Sequence, residues 1–117
     1  MKRVLGTIFA VSIILAASGT AMAAGKPIVT FKTNMGEFTV QLEPERAPKT
    51  VANFLEYVRD GHYDGTIFHR VIAKFMVQGG GFLPSFQKRD TRGPIINEAN
   101  TGLKNERGTI AMARTAD

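Results

Sequence analysis

The 117-residue chain contains no cysteine. That excludes disulfides, a thiolate nucleophile and the lipid anchor of a lipoprotein. Serine is nearly as scarce, because beyond residue 23 only Ser85 remains, in Leu83-Pro84-Ser85-Phe86. No strained elbow surrounds it to present a nucleophile, so covalent serine or cysteine catalysis does not fit this inventory. Histidine is limited to His62 and His69, seven residues apart and without the close-spaced acidic or histidine partners of a metal site. Both read as structural histidines, and no metal is expected. The run Gly79-Gly80-Gly81 lacks the Lys-Ser/Thr pair of a phosphate-binding loop. It reads as a tight turn with positive φ, which implies no nucleotide cofactor. Glu43 and Glu45 flank Pro44, and on a strand-to-helix connection they read as a solvated turn, not as an acid–base pair.

Charge of one sign is also not concentrated. Met1-Lys2-Arg3 is a short basic start, Val4–Ala17 is an uncharged apolar run, and Ala21-Met22-Ala23 is a small-x-small cleavage signal. Residues 1–23 therefore read as a secretory signal peptide. Ser18, Gly19 and Thr20 interrupt the run short of the roughly 20 apolar residues a membrane span needs, so no stable membrane insertion is expected after cleavage. The expected destination is the periplasm. Cleavage leaves 94 residues, one small domain with a marginal core. Lys2 and Arg3 leave with the leader, so thirteen basic residues face ten acidic ones and the net charge falls from +5 to +3. The remaining basic residues, such as Lys32, Arg46, Arg59, Lys88 and Arg107, are scattered, which argues against a nucleic-acid footprint.

Hydrophobic periods organise residues 24–117. Ile28–Thr33 and Glu37–Glu43 read as a hairpin around Asn34-Met35-Gly36, with Phe38, Val40 and Leu42 on the buried face. Val51, Phe54, Leu55 and Val58 fall at i, i+3, i+4 and i+7, one face of a helix that should end near Asp60-Gly61. Thr66–Ile72 and Phe75–Gln78 read as two short strands, 79–92 as a long loop, and Ile95-Ile96 and Thr109–Ala113 as later strands.

The stretch Phe68-His69-Arg70-Val71-Ile72-Ala73-Lys74-Phe75-Met76-Val77-Gln78-Gly79-Gly80 sets one guanidinium and one amide among large apolar side chains. Spacing alone leaves two readings open: the wall of a pocket for an uncharged substrate, or ordinary core with Arg70 at the surface. The stretch closely resembles the signature of the cyclophilins, the peptidyl-prolyl cis-trans isomerases. The likeness extends to the opening hairpin, to Thr50-Val51-Ala52-Asn53-Phe54, to Tyr63-Asp64-Gly65-Thr66, and to Asn97-Glu98 with Gly108-Thr109-Ile110-Ala111-Met112-Ala113. Gly81 and Arg114 stand where many members carry an acid and an asparagine, which resembles the bacterial periplasmic branch.

The resemblance implies rotation about X-Pro bonds with no cofactor, acting on proline-containing unfolded or partly folded polypeptides. It makes Arg70 the catalytic arginine, Phe75 and Met76 the walls of the proline pocket, Gln78 the substrate-holding amide, and Ala113 with Arg114 the rim strand. Chemistry agrees with the first of these roles. The barrier to rotation is amide resonance, roughly 18–20 kcal/mol, and a guanidinium N–H can bond the prolyl nitrogen lone pair that appears only as the amide twists. Phe75 is further expected to be a buried aromatic whose removal harms both folding and binding. The implied fold is mainly β, a closed eight-stranded antiparallel barrel capped by two helices. This chain carries its N-terminal portion, with the closing strands and second helix missing, so an incomplete domain is expected. Besides an isomerase, a non-catalytic peptide-binding or holdase-like module and an inactive fragment remain open.

Overall fold

The computed structural model describes residues 25–116. The expected leader at 1–23 lies outside the described residues. Strand β1 (Ile28–Thr33) pairs antiparallel with β2 (Gly36–Gln41), Thr33 opposite Gly36, so Asn34-Met35 forms a two-residue turn. Thr33 Oγ1 donates to the Gly36 carbonyl at 2.8 Å and accepts the Met35 N–H at 3.1 Å. The pairings Val29↔Val40 and Phe31↔Phe38 set four apolar side chains on one face, where the two Phe rings stack at 4.7 Å. β2 ends at Gln41, two residues before the expected limit. Leu42 N–H still reaches the Pro27 carbonyl at 2.8 Å, but the Glu43 carbonyl turns to accept the N–H groups of Arg46 and Ala47, and Pro44 has no N–H for a ladder.

Helix α1 (Pro48–Arg59) lays Val51 and Phe54 on that face, with Leu55 and Val58 beside them. Leu42, Val51 and Phe54 form the buried core, covered by Val29, Phe31, Val40 and Tyr63. Proline in the first turn costs the helix no bond, since that N–H is unpaired anyway. The helix ends as expected. Gly61, at φ 67°, donates to the Val58 carbonyl at 3.1 Å and His62 donates to that of Tyr57 at 3.0 Å, the paired bonds of a Schellman cap. At the other end Ala47 offers no capping side chain. Glu98 supplies one from 48 residues away, accepting the Thr50 N–H at 2.6 Å, the Thr50 hydroxyl at 2.8 Å and the Lys49 N–H at 3.2 Å.

Strands β3 (Phe68–Ile72) and β4 (Met76–Gly79) form a second antiparallel hairpin. The two sheets hold two strands each and do not join, so the described residues form a mainly β arrangement with one long helix and no closed barrel. Residues 80–92 form the expected long loop, tied across itself: Phe82 bridges Lys88, and Arg89 N–H donates to the Gly81 carbonyl at 2.9 Å. The strands expected at Ile95-Ile96 and Thr109–Ala113 are absent. A strand exists only through a ladder partner, and among the described residues the strands pair solely with their sequence neighbours, so neither segment is joined to a sheet. A short 3-10 turn, Ala99–Thr101, lies between them. No described helix is long and apolar enough to cross a membrane.

Candidate functional site

The second hairpin carries most of the singled-out residues. Its turn is closed by Phe75 N–H to the Ile72 carbonyl at 3.1 Å, with Lys74 at φ 61° in a conformation that usually falls to glycine or asparagine. The register then runs Ile72↔Met76, Val71↔Val77 and Arg70↔Gln78. Paired residues share a face and alternate along the strand, so Arg70, Ile72, Met76 and Gln78 stand together and Val71 and Val77 face the other way. Arg70 Nη1 donates to Gln78 Oε1 at 3.4 Å. This is a long, weak bond that orients the guanidinium, and among the described residues its other N–H groups have no partner.

The hairpin's far end is built by close approach. An added Cβ on Gly79 would stand 2.7 Å from the Phe68 ring and 3.0 Å from the Ile67 carbonyl, and one on Gly80 would stand 2.7 Å from the Tyr63 ring. Only Gly80 of the three glycines has positive φ, 91°, so the expected turn is confined to it. His62 Nε2 donates to the Gly80 carbonyl at 3.1 Å while its ring lies edge-on to Tyr57 and Tyr63. Burial, with the neighbouring Tyr57 adding to it, pushes the Tyr63 hydroxyl above its ordinary range. Arg92 pins the following loop to α1 through ion pairs with Glu56 and Asp60 and lies over the Tyr57 ring at 5.4 Å. Its N–H donates to the Tyr57 hydroxyl at 2.7 Å.

Two shallow clefts flank this loop, one bounded by Tyr57, Asp60, His62 and Arg92, the other by His62, Leu83, Gln87 and Lys88. Neither includes Arg70 or Gln78; Arg70 is exposed and Gln78 is half-buried. Phe75 departs from expectation: at 77% exposure in the turn it is not a buried aromatic, because nothing described packs over the hairpin tip. Met76 is half-buried. Ala113 and Arg114 are exposed, and among the described residues neither pairs with β3 or β4. Of the residues singled out in the sequence, the structure therefore brings together Arg70, Met76 and Gln78. The roles of His62, Tyr63 and Glu98 had no signal in spacing, since each acts through a partner more than 15 residues away or through ring packing. Among the described residues no group of three or more His, Cys, Asp or Glu could hold a metal ion.

Comparison with known proteins places the chain in a family. The family described as Cyclophilin type peptidyl-prolyl cis-trans isomerase/CLD matches residues 28–117. The chain belongs to the cyclophilins. Similar proteins include peptidyl-prolyl cis-trans isomerase cyp18 of Streptomyces antibioticus, 58% identical over 89 residues, 76% of this chain and 54% of that protein. Peptidyl-prolyl cis-trans isomerase B of Escherichia coli is 58% identical over 88 residues, 75% of this chain and 54% of the other. Peptidyl-prolyl cis-trans isomerase A of Dickeya dadantii is 45% identical over 116 residues, 99% of this chain and 61% of the other. The chain thus spans about half the length of the curated relatives it matches. Within that span the second hairpin pairs a guanidinium and an amide across two strands beside Ile72 and Met76, an arrangement able to offer directed N–H donors next to an apolar surface.

Proposed function

We propose that this cyclophilin catalyses cis-trans rotation about X-Pro peptide bonds in polypeptides that are still folding. The observation that carries the reading is the Arg70–Gln78 pair, aligned by strand register and by the bond from Nη1 to Oε1. Arg70 donates to the prolyl nitrogen as the amide twists, an interaction absent from the planar ground state and hence expressed in rate. Gln78 holds the guanidinium through its oxygen and leaves its NH2 for a substrate carbonyl. Ile72 and Met76 supply the apolar surface beside the reacting bond, Phe75 closes over the proline ring from the hairpin tip, and Ala113 with Arg114 forms the rim for the peptide backbone. No step requires a cofactor. With residues 1–23 as an export leader, the clients are exported proteins in the periplasm.

The test is cis-trans exchange of a short Ala-Pro peptide followed by NMR, with Gly25–Asp117 and its Arg70→Ala variant at equal concentration. The reading expects acceleration by the parent and a loss of roughly a hundredfold in the variant. Equal acceleration by both removes Arg70 from the mechanism. A second reading, peptide binding without turnover, is favoured by one observation: Val71, Phe75 and Val77 are 67%, 77% and 60% exposed on the same hairpin. Saturable binding of an unfolded chain with no acceleration by either form supports that alternative.

A further inference from the structure

Arg70 reaches the face of Gln78 through an irregularity in β3. Phe68 pairs with Gly79 and Arg70 with Gln78, so two steps along β3 match one along β4 and His69 is the extra residue of a β-bulge. A ladder continued regularly from Phe68↔Gly79 would set His69 opposite Gln78 and Arg70 opposite Val77. A one-residue slip moves a side chain to the other face, so without the bulge the guanidinium and the amide would lie on opposite sides of the hairpin.

Packing holds the bulged residue in place. The His69 ring stands edge-on to Phe82 at 4.6 Å. Phe82 is itself fixed, since its carbonyl accepts the Ile67 N–H at 3.0 Å and its backbone bridges Lys88. His69 Nδ1 is buried without a hydrogen-bond partner among the described residues. What the described residues give this ring is packing on Phe82 and not a bond to Nδ1, which points to its shape.

We propose that His69 is a positioning residue for Arg70: wedged against Phe82, its ring holds the bulge that turns the guanidinium onto the face of Gln78. Why that placement matters rests on the isomerase reading, but the placement can be measured without turnover. The experiment compares the full chain with its His69→Phe and His69→Ala variants. Cross-strand NMR contacts distinguish the Arg70–Gln78 register from a slipped Arg70–Val77 register, and Ala-Pro exchange reports activity. His69→Phe keeps a flat ring and sheds the unmet nitrogen, so it is expected to retain the register and the exchange rate. His69→Ala is expected to lose the Arg70–Gln78 contacts while amide protection in β1, β2 and α1 persists. Its exchange rate should fall roughly tenfold, in kcat more than in KM. If His69→Ala does not fold, Phe82→Leu removes the surface under the ring and is expected to release the bulge in the same way. An unchanged register in the alanine variant overturns the proposal, as does loss of activity in His69→Phe with the register intact. If even the parent chain shows no acceleration, the isomerase reading fails while the register still decides the role of His69.

Discussion

Gly80 and Gly81 are chemically identical neighbours with opposite demands on them. At Gly80 a methyl group meets the Tyr63 ring, and the positive φ adds the steric cost of a left-handed backbone. At Gly81 the space is open and φ is not in that region. Gly80→Ala is therefore expected to destabilise the fold by about 1–2 kcal/mol or more, and Gly81→Ala to leave stability unchanged or raise it by up to about 1 kcal/mol by restricting the unfolded chain. Urea denaturation of the two variants checks the difference in sign. The same attention to surroundings corrects Phe75. A residue as exposed as this opens no core cavity when truncated, so the loss of about 3–5 kcal/mol that a buried aromatic carries does not apply, and any effect of Phe75→Ala belongs to substrate contact.

Among the elements, α1 is held at its two ends by different kinds of information. Its C-terminal cap is local and was legible, because Asp60-Gly61 supplies the left-handed residue within the same few positions. Its N-terminal cap is tertiary and was not, because Glu98 arrives from a distant segment. Partial burial works against ionisation of Glu98, yet the bonds from Thr50 and Lys49 prevail and hold its carboxyl below the ordinary 4.5. A depressed folded-state value stabilises above the unfolded value and fades as the pH falls through the folded one. Amide protection of Thr50 is thus expected to drop selectively on acidification below 4.5. Glu98→Gln should flatten that dependence, and Glu98→Ala should leave Thr50 poorly protected at every pH. A Thr50 protection factor insensitive to all three changes removes Glu98 as the cap. The candidate site was legible to a similar, partial degree. Arg70, Met76 and Gln78 could be singled out by type, but the bulge that sets their common face has no counterpart in hydrophobic alternation, since Val71 and Ile72 are both apolar and define no inner side.

At the scale of the whole molecule, strand pairing among the described residues is entirely between sequence neighbours, and this is where the expectation of later strands failed. Val, Ile and Thr at 95–96 and 109–113 satisfy a propensity, but propensity describes fitness for a pleated surface that a neighbouring strand must provide. What joins the parts is side-chain packing around α1: Phe54 between Phe31 and Tyr63, and Tyr57 beneath Arg92. The hairpin that bears Arg70 and Gln78 has a kinetic consequence. Only seven residues separate the two, and closing so short a loop takes on the order of 10–100 ns, with hairpin formation following in roughly 1–10 μs. A lone two-stranded hairpin is marginal in water, so the pair is expected to form and dissolve repeatedly until packing such as that of Gly80 against Tyr63 captures it. Contacts between Arg70 and Gln78 should therefore be detectable at low population in the unfolded ensemble, and Gly80→Ala should lengthen their wait for capture without altering how often they meet.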